Sequence, residues 1–401
     1  MRILQMAYAT LFSYNLELIS YNNNTSCNPF FLVCFITGLA FYPKNQPRIR
    51  WIVNISILYP LIIWFLYAYS FYSLVSLFTI KILFRSIIIM ITLGINLSTM
   101  IISVIMNRYH QKKFQMCLRR FAIVDNTLEK LGAPKKYKKM YTWSIKIIIG
   151  WIVLSLTMNF LDSYIWRQKT VKNVFWRVYI SHIMNYSIHI NTFMDLLFIF
   201  FLWCVGTRFD RVNELMQYLL VKEETGLKYT WKKSIVIFHR NTLCINKNYK
   251  QILWILMHLH LELCRLSREL NVIYGPQLTF EMASYLLYLT SLCYHICQMI
   301  IKEHRSDIYS MYQWFNMSLW VFSFLLRLYV INYICESVSL KANKIDRIIH
   351  RFTSTLRYAD IWKEICQFSL QLMYHQLKFT GMGLFYFGNS FFRKVKRIVL
   401  N

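Results

Sequence analysis

The chain has 401 residues, of which 56% are Ala, Val, Ile, Leu, Met, Phe, Trp, Tyr or Cys, 17% are aromatic and only 16% charged. Soluble domains are roughly 45–50% apolar and about 25% charged, so the two or three soluble domains that the length alone suggests are excluded. A net charge of +28 would point to nucleic acid on a soluble chain; here basic residues are those expected of cytoplasmic membrane loops, and no nucleic acid partner is expected.

Residues 1–50 form a cytoplasmic N-terminal segment. Met1–Ile19 carries Arg2 but no long apolar run ahead of a small-residue cleavage site, so no cleavable signal peptide is expected. The apolar run Pro29–Tyr42 is too brief to span and is read as re-entrant or interfacial. From Trp51 to Ile80 there is no Asp, Glu, Lys or Arg, and about twenty such residues already cross a hydrocarbon core of roughly 30 Å. The first span is placed at 51–77 and the second at 86–107, followed by a cytoplasmic loop at 108–146. The third, 147–166, holds Asp162 near one end; the fourth, 178–206, holds Asp195. A cytoplasmic helical extension covers 207–281. The fifth span is 282–301 and the sixth, 308–335, holds Arg327. Cytoplasmic anchor helices at 336–378 and an incomplete seventh span with a basic tail at 379–401 complete the chain.

Lys and Arg total 37 on the side shared by the N-terminus, 108–146, 208–281 and 336–401, against 8 in the alternate connections. The positive-inside rule therefore puts the N-terminus in the cytoplasm, the reverse of a G-protein-coupled receptor. The fold class expected is an all-α polytopic membrane protein with six full transmembrane helices, an incomplete seventh and a cytoplasmic helical bundle. Ile252, Leu256, Leu259, Leu263, Leu266, Leu270 and Ile273 repeat at alternating spacings of 4 and 3, as do Ile345, Ile349, Phe352 and Leu356. Such seams are what one helix needs to pack against another. They are the candidate subunit anchors.

Ten cysteines include no CxxC pair, and by this topology none lies in an external loop, so no disulfide framework is expected. His258, His260 and Glu262 do not form HExxH, and no metal, cofactor or enzyme chemistry is expected. The sequons at Asn54, Asn96, Asn185 and Asn316 fall inside spans and are read as idle. Intramembrane ionisable groups are functional candidates by default. Asp195 and Arg327 lie at similar depth and form a candidate charge pair. For a ligand pocket, which needs an apolar wall with a few polar handles, the candidates are His182, Tyr186, Tyr294, Gln298 and Trp320.

The stretch His258–Leu278, HLHLELCRLSRELNVIYGPQL, and the stretch Phe368–Ser390, FSLQLMYHQLKFTGMGLFYFGNS, resemble the approaches to the fifth and last helices of insect gustatory receptors, relatives of the insect odorant receptors. Within the second stretch Phe379, Gly383 and Leu384 agree with the family's pattern. The resemblance implies a ligand-gated, non-selective cation channel subunit in the plasma membrane of gustatory receptor neurons, driving acceptance or avoidance. Its implied partners are a small-molecule tastant, membrane lipid and other receptor subunits, in a homo- or heterotetramer around a pore lined by the final helix. Family members continue with a hydrophobic half-helix bearing Thr-Tyr, five mostly apolar residues and Gln-Phe; here Phe391-Phe392 is followed by Arg393-Lys394-Val395-Lys396-Arg397. A non-conducting truncated subunit is therefore an alternative. A multi-pass transporter is the other, although the Gly/Pro-interrupted helix pairs that transporters use are not found.

The charge asymmetry makes the topology testable. An epitope at the N-terminus should be stained only after permeabilisation, and one inserted beside Lys169 should be stained on intact cells; staining of the N-terminus on intact cells would overturn the assignment.

Overall fold

A computed structural model of the chain describes residues 28–37, 39, most positions of 58–73, and 87–134, 137–169, 174–227, 249–302, 308–355, 359–389, 391 and 393. Its elements are α1 (Asn28–Ile36), α2 (Ile87–Lys130), α3 (Tyr137–Lys169), α4 (Val174–Leu227), α5 (Tyr249–Lys302), α6 (Ile308–Thr355) and α7 (Ala359–Tyr374), then the two-residue strands β1 (Thr380–Gly381) and β2 (Phe385–Tyr386). Described positions between 58 and 73 are helical as well. The described residues are thus helical almost throughout, as expected. Among the described residues three stretches are long and apolar enough to cross a membrane, Tyr137–Tyr164, Val174–Leu219 and Met311–Arg351.

Several boundaries differ from the sequence expectation. The segment 108–130, read as part of a loop, simply continues α2. The helix stops where Gly132 takes a positive φ of 91°. The Gly132 and Ala133 amides donate to the carbonyls of Glu129 and Leu128 at 2.9 Å each, which satisfies the orphan acceptors of the last turn. Ala133 and Leu128 are both buried at this end, and Pro134 cannot continue the helix. Of the run 29–42, expected at the interface, the part up to Ile36 lies in α1, whose Phe30 and Cys34 are fully buried, and 38 and 40–42 lie outside the described residues.

The larger correction concerns 379–392, read as the start of a last helix. Gly381 and Gly383 lie in a small hairpin instead, with Thr380 paired to Tyr386 and Gly381 to Phe385. Met382 (φ 49°) and Gly383 (φ 76°) form its left-handed tip. Helical conformation resumes only at 389, 391 and 393. Three glycines within eight residues weigh against a helix here, whatever the apolar spacing between them.

The chain folds as two compact units, the first comprising residues up to Lys112 with Tyr137–Leu197 and Pro276–Val330, the second Lys113–Lys136, Phe198–Gly275 and Ile331–Asn401. In the first, Phe30 of α1 lies 5.9 Å from Phe193 of α4, and Trp151 of α3 lies 5.1 Å from the same ring. α3 turns Ile149, Ile152, Val153, Leu156 and Phe160 outward, an apolar stripe that suits lipid rather than water.

The second unit has a core built from the predicted seams. Leu256, Leu263, Leu266 and Leu270 of α5 and Ile345 of α6 are fully buried; Leu259 and Ile349 nearly so. Ile252 is half-buried, and the Phe352 side chain lies outside the described residues. Side chains already covered within one chain leave little surface to offer a second copy, so this seam closes the chain's own core. Around it run ion pairs: Arg208 to Asp125 at 2.6 Å, Arg120 to Glu262 and Glu269 at 3.4 and 2.6 Å, and Lys341 to Asp210 at 2.6 Å. His260 is fully buried between the rings of Phe209 and Phe368. Its Nε2–H donates to the Ala342 carbonyl at 3.0 Å.

Burial lowers the His260 pKa from 6.5 to about 4. Because the unfolded chain takes up the proton first, stability is complete above pH 6.5 and declines as the pH falls toward 4. Between pH 7.5 and 5 the loss from this residue is about 2 kcal/mol. Thermal unfolding in detergent at the two pH values should therefore show a smaller shift for His260→Gln than for the parent chain.

Candidate functional site

Polar side chains buried among apolar helices need partners, because water is not there to supply them. Among the described residues of the first unit two clusters stand out. The deeper one joins α4, α5 and α6. Asp195 is 1% exposed and accepts a hydrogen bond from the Tyr285 hydroxyl. The Glu281 carboxyl, fully buried, accepts from Gln277 Nε2 at 2.8 Å. Arg327 donates to the Thr192 hydroxyl, and its guanidinium lies 5.7 Å from the Tyr285 ring centroid and 5.4 Å from that of Phe324. Asp195 and Arg327, expected as a direct pair, are instead joined through Tyr285: its ring meets the cation and its hydroxyl meets the acid.

The other cluster lies in the outer halves of the spans by the expected topology. Asp162 of α3 accepts from Asn185 Nδ2 of α4 at 2.5 Å, from Asn316 Nδ2 of α6 at 2.8 Å and from Trp320 Nε1 of α6 at 3.3 Å. Asn185 Nδ2 also donates to Asn159 Oδ1 at 3.0 Å, and His189 Nε2 donates to that same oxygen at 3.0 Å. Spacing places these groups together: Asn159 and Asp162 are three apart on α3, and Asn185 and His189 and likewise Asn316 and Trp320 are four apart, so each pair shares a helix face. Asp162 is only half-buried, whereas Asn159, Asn185, Asn316 and Trp320 are buried. Aromatic rings flank the cluster in sequence and space. Tyr186 packs on Tyr67 at 4.8 Å and on Trp64 at 6.3 Å, and Tyr164 packs on Tyr312 at 4.6 Å.

Of the five pocket candidates, Trp320 is part of this cluster and Tyr186 adjoins it. His182 is exposed, with Nδ1–H donating to the Val178 carbonyl of its own helix at 2.9 Å. Tyr294 is half exposed, and the Gln298 side chain lies outside the described residues. Sequence reasoning missed Asn159, Asn185, His189 and Asn316. Asn185 and Asn316 sit in sequons that the sequence leaves idle; the available signal is an amide repeatedly placed in an apolar span, where each needs a partner on another helix. Asn96, a third such residue, accepts from Ser284 of α5 at 2.9 Å through its side chain and from Asn191 of α4 at 3.4 Å through its carbonyl. Among the described residues no group of His, Cys, Asp and Glu could hold a metal ion.

Comparison with known proteins adds context to this arrangement. The model of the 7tm chemosensory receptor family matches residues 28–395. A Drosophila melanogaster protein provisionally named gustatory receptor 28b is 22% identical over 286 residues, which is 68% of this chain and 59% of that protein. The chain thus spans less than two thirds of that relative. Among solved structures, the insect olfactory receptor OR5 from Machilis hrabei superposes with a TM-score of 0.56 at 14% identity, covering 96% of this chain and 97% of that one. The same receptor in complex with eugenol gives 0.53 with the same coverage.

The deeper cluster predicts a stability effect. Tyr285→Phe removes the donor to Asp195 and leaves a buried carboxyl oxygen without it, a cost of about 1–3 kcal/mol. Thermal unfolding in detergent should register that loss, whereas Tyr141→Phe, at an exposed ring, should stay within about 0.5 kcal/mol of the parent.

Proposed function

The chain belongs to the 7tm chemosensory receptor family, and on that premise we propose that it is a gustatory receptor subunit, a ligand-gated cation channel of the plasma membrane of gustatory neurons. The observation that carries this reading is the Asp162 cluster: three helices converge on one half-buried carboxylate with amide, indole and aromatic neighbours. That is the composition of a small-molecule site, apolar walls with a few convergent polar groups. Buried helix-to-helix hydrogen bonds of this kind can be re-partnered by a ligand, which then favours whichever packing it fits best. A taste ligand, rather than an odorant, is supported by the name of the Drosophila relative. A small-molecule ligand in general is supported by the eugenol complex of the Machilis receptor.

The assembly proposed is a homo- or heterotetramer. The surfaces open to it in the second unit are those that the seams leave uncovered, including Trp362, Leu370, Met373 and Tyr374 of α7.

Electrical recording from cells expressing the chain, alone and with other receptor subunits, tests the proposal against a panel of tastants. The expected result is a tastant-evoked cation current that persists without a coupled ion gradient. Asn316→Ala and Trp320→Phe should each raise the half-maximal concentration roughly tenfold, the value of one good polar contact. Responses that require a coupled gradient would identify a transporter instead.

A further inference from the structure

We infer that the Asp162 cluster selects ligands carrying a protonated amine, with Asp162 as the counter-ion and Asn316 as a second acceptor; this rests on the ligand-site reading above. All three groups that touch the Asp162 carboxyl are neutral donors. Among the described residues no Lys, Arg or His nitrogen forms an ion pair with it. The base of the cluster, His189, is turned to Asn159. The arginine of the first unit's deeper cluster, Arg327, is engaged by Thr192 and the rings of Tyr285 and Phe324. The carboxyl is therefore held and oriented by neutral donors alone, with no cation beside it. A carboxylate among apolar helices is costly, and an arriving cation offsets part of that cost and favours the ionised form.

Two further features favour an ammonium over other donors. Asn316 is 4% exposed and its Oδ1 is buried with no hydrogen-bond partner, while its Nδ2 is fixed on Asp162. That oxygen is an acceptor waiting for an N–H or O–H. The indole of Trp320, stacked on Phe324 at 5.7 Å, and the Tyr164–Tyr312 pair supply aromatic faces, to which a desolvated cation is attracted. Accessibility separates this acid from the deeper one: Asp195 is sealed at 1% exposure, whereas Asp162 is half-buried. A carboxylate ligand, by contrast, would meet the Asp162 charge.

Binding to the purified full chain in detergent, read as a ligand-induced shift in unfolding temperature and thus independent of gating, tests this. The probes are phenethylammonium, 2-phenylethanol and 3-phenylpropanoate, of similar size with cationic, neutral and anionic heads. The expected order is a cation bound at least tenfold more tightly than the alcohol, and no shift from the anion. Asp162→Asn should abolish the cation's advantage while keeping the alcohol, and Asp162→Glu should retain the preference. If Asp162→Asn does not fold, the preference in the parent and in Asp162→Glu decides. Equal or tighter binding of the alcohol or the anion, no binding of the cation, or an unchanged preference in Asp162→Asn would each overturn the inference. Tastant currents from neutral ligands alone would leave the receptor reading standing while this one fails, and amine binding without current would do the reverse.

Discussion

The hydrogen bond between helices, made where no water competes, is the constraint on which the rest of this structure depends. A side-chain amide, hydroxyl or carboxyl placed in an apolar span costs several kcal/mol unless another group meets it. A helix has already used its backbone groups, so the partner comes from a neighbouring helix or from a residue one turn away. Asp162 recruits α4 and α6, Asp195 recruits α5, and Asn96 recruits α4 and α5. Because leucine packs on lipid about as well as on leucine, dispersion alone would leave the rotation of each helix loosely fixed. The polar contacts define it. They also concentrate chemistry, since the same groups that fix helix rotation are the ones able to recognise a ligand.

The second unit meets a different requirement. Its helices carry heptad seams flanked by charge, as water-facing helices do, and bury leucine and isoleucine while arranging ion pairs around the core. Arg208 is the instructive case. It is buried, makes two hydrogen bonds to Asp125 at 2.8 and 2.6 Å, donates to the Cys204 carbonyl and covers the ring of Phe121. Each of its donating nitrogens is used, which is what makes a buried guanidinium tolerable.

Much of this was legible in the sequence. The seam Leu256–Leu263–Leu266–Leu270 could be read because a 3.5-residue period is a local property, and helix α4 because its apolar run is long. The intramembrane acids stood out by type. Their partners did not: nothing in the spacing of residues 159–162 says that 185 and 316 will be opposite, because that depends on the rotation and depth of helices more than twenty residues away. Arg327 shows the same limit. Similar depth suggested Asp195 as its contact, yet Tyr285, apolar enough to be passed over, lies between them. At the other extreme, residues 379–389 fool a reading by hydrophobicity, since Phe379 and Phe387 are buried at the base of a hairpin as they would be in a helix.

The joint after that hairpin fixes where the chain can vary. The Gly388 amide donates to Asn332 Oδ1 at 2.9 Å and the Asn389 amide to Glu336 Oε2 at 3.3 Å, so two side chains of α6 cap the helical residues that follow. A β-carbon at 388 would collide with Glu336, and the φ of 107° is one that only glycine adopts without strain. Meanwhile Met382 and Leu384 at the hairpin tip are more than half exposed and touch little. Extra residues inserted at the tip would bulge outward, while the start of the helix at 389 would keep its place, because that place is dictated by α6. Among descendants of this chain, length is free to drift at 382–384 and composition is frozen at 388.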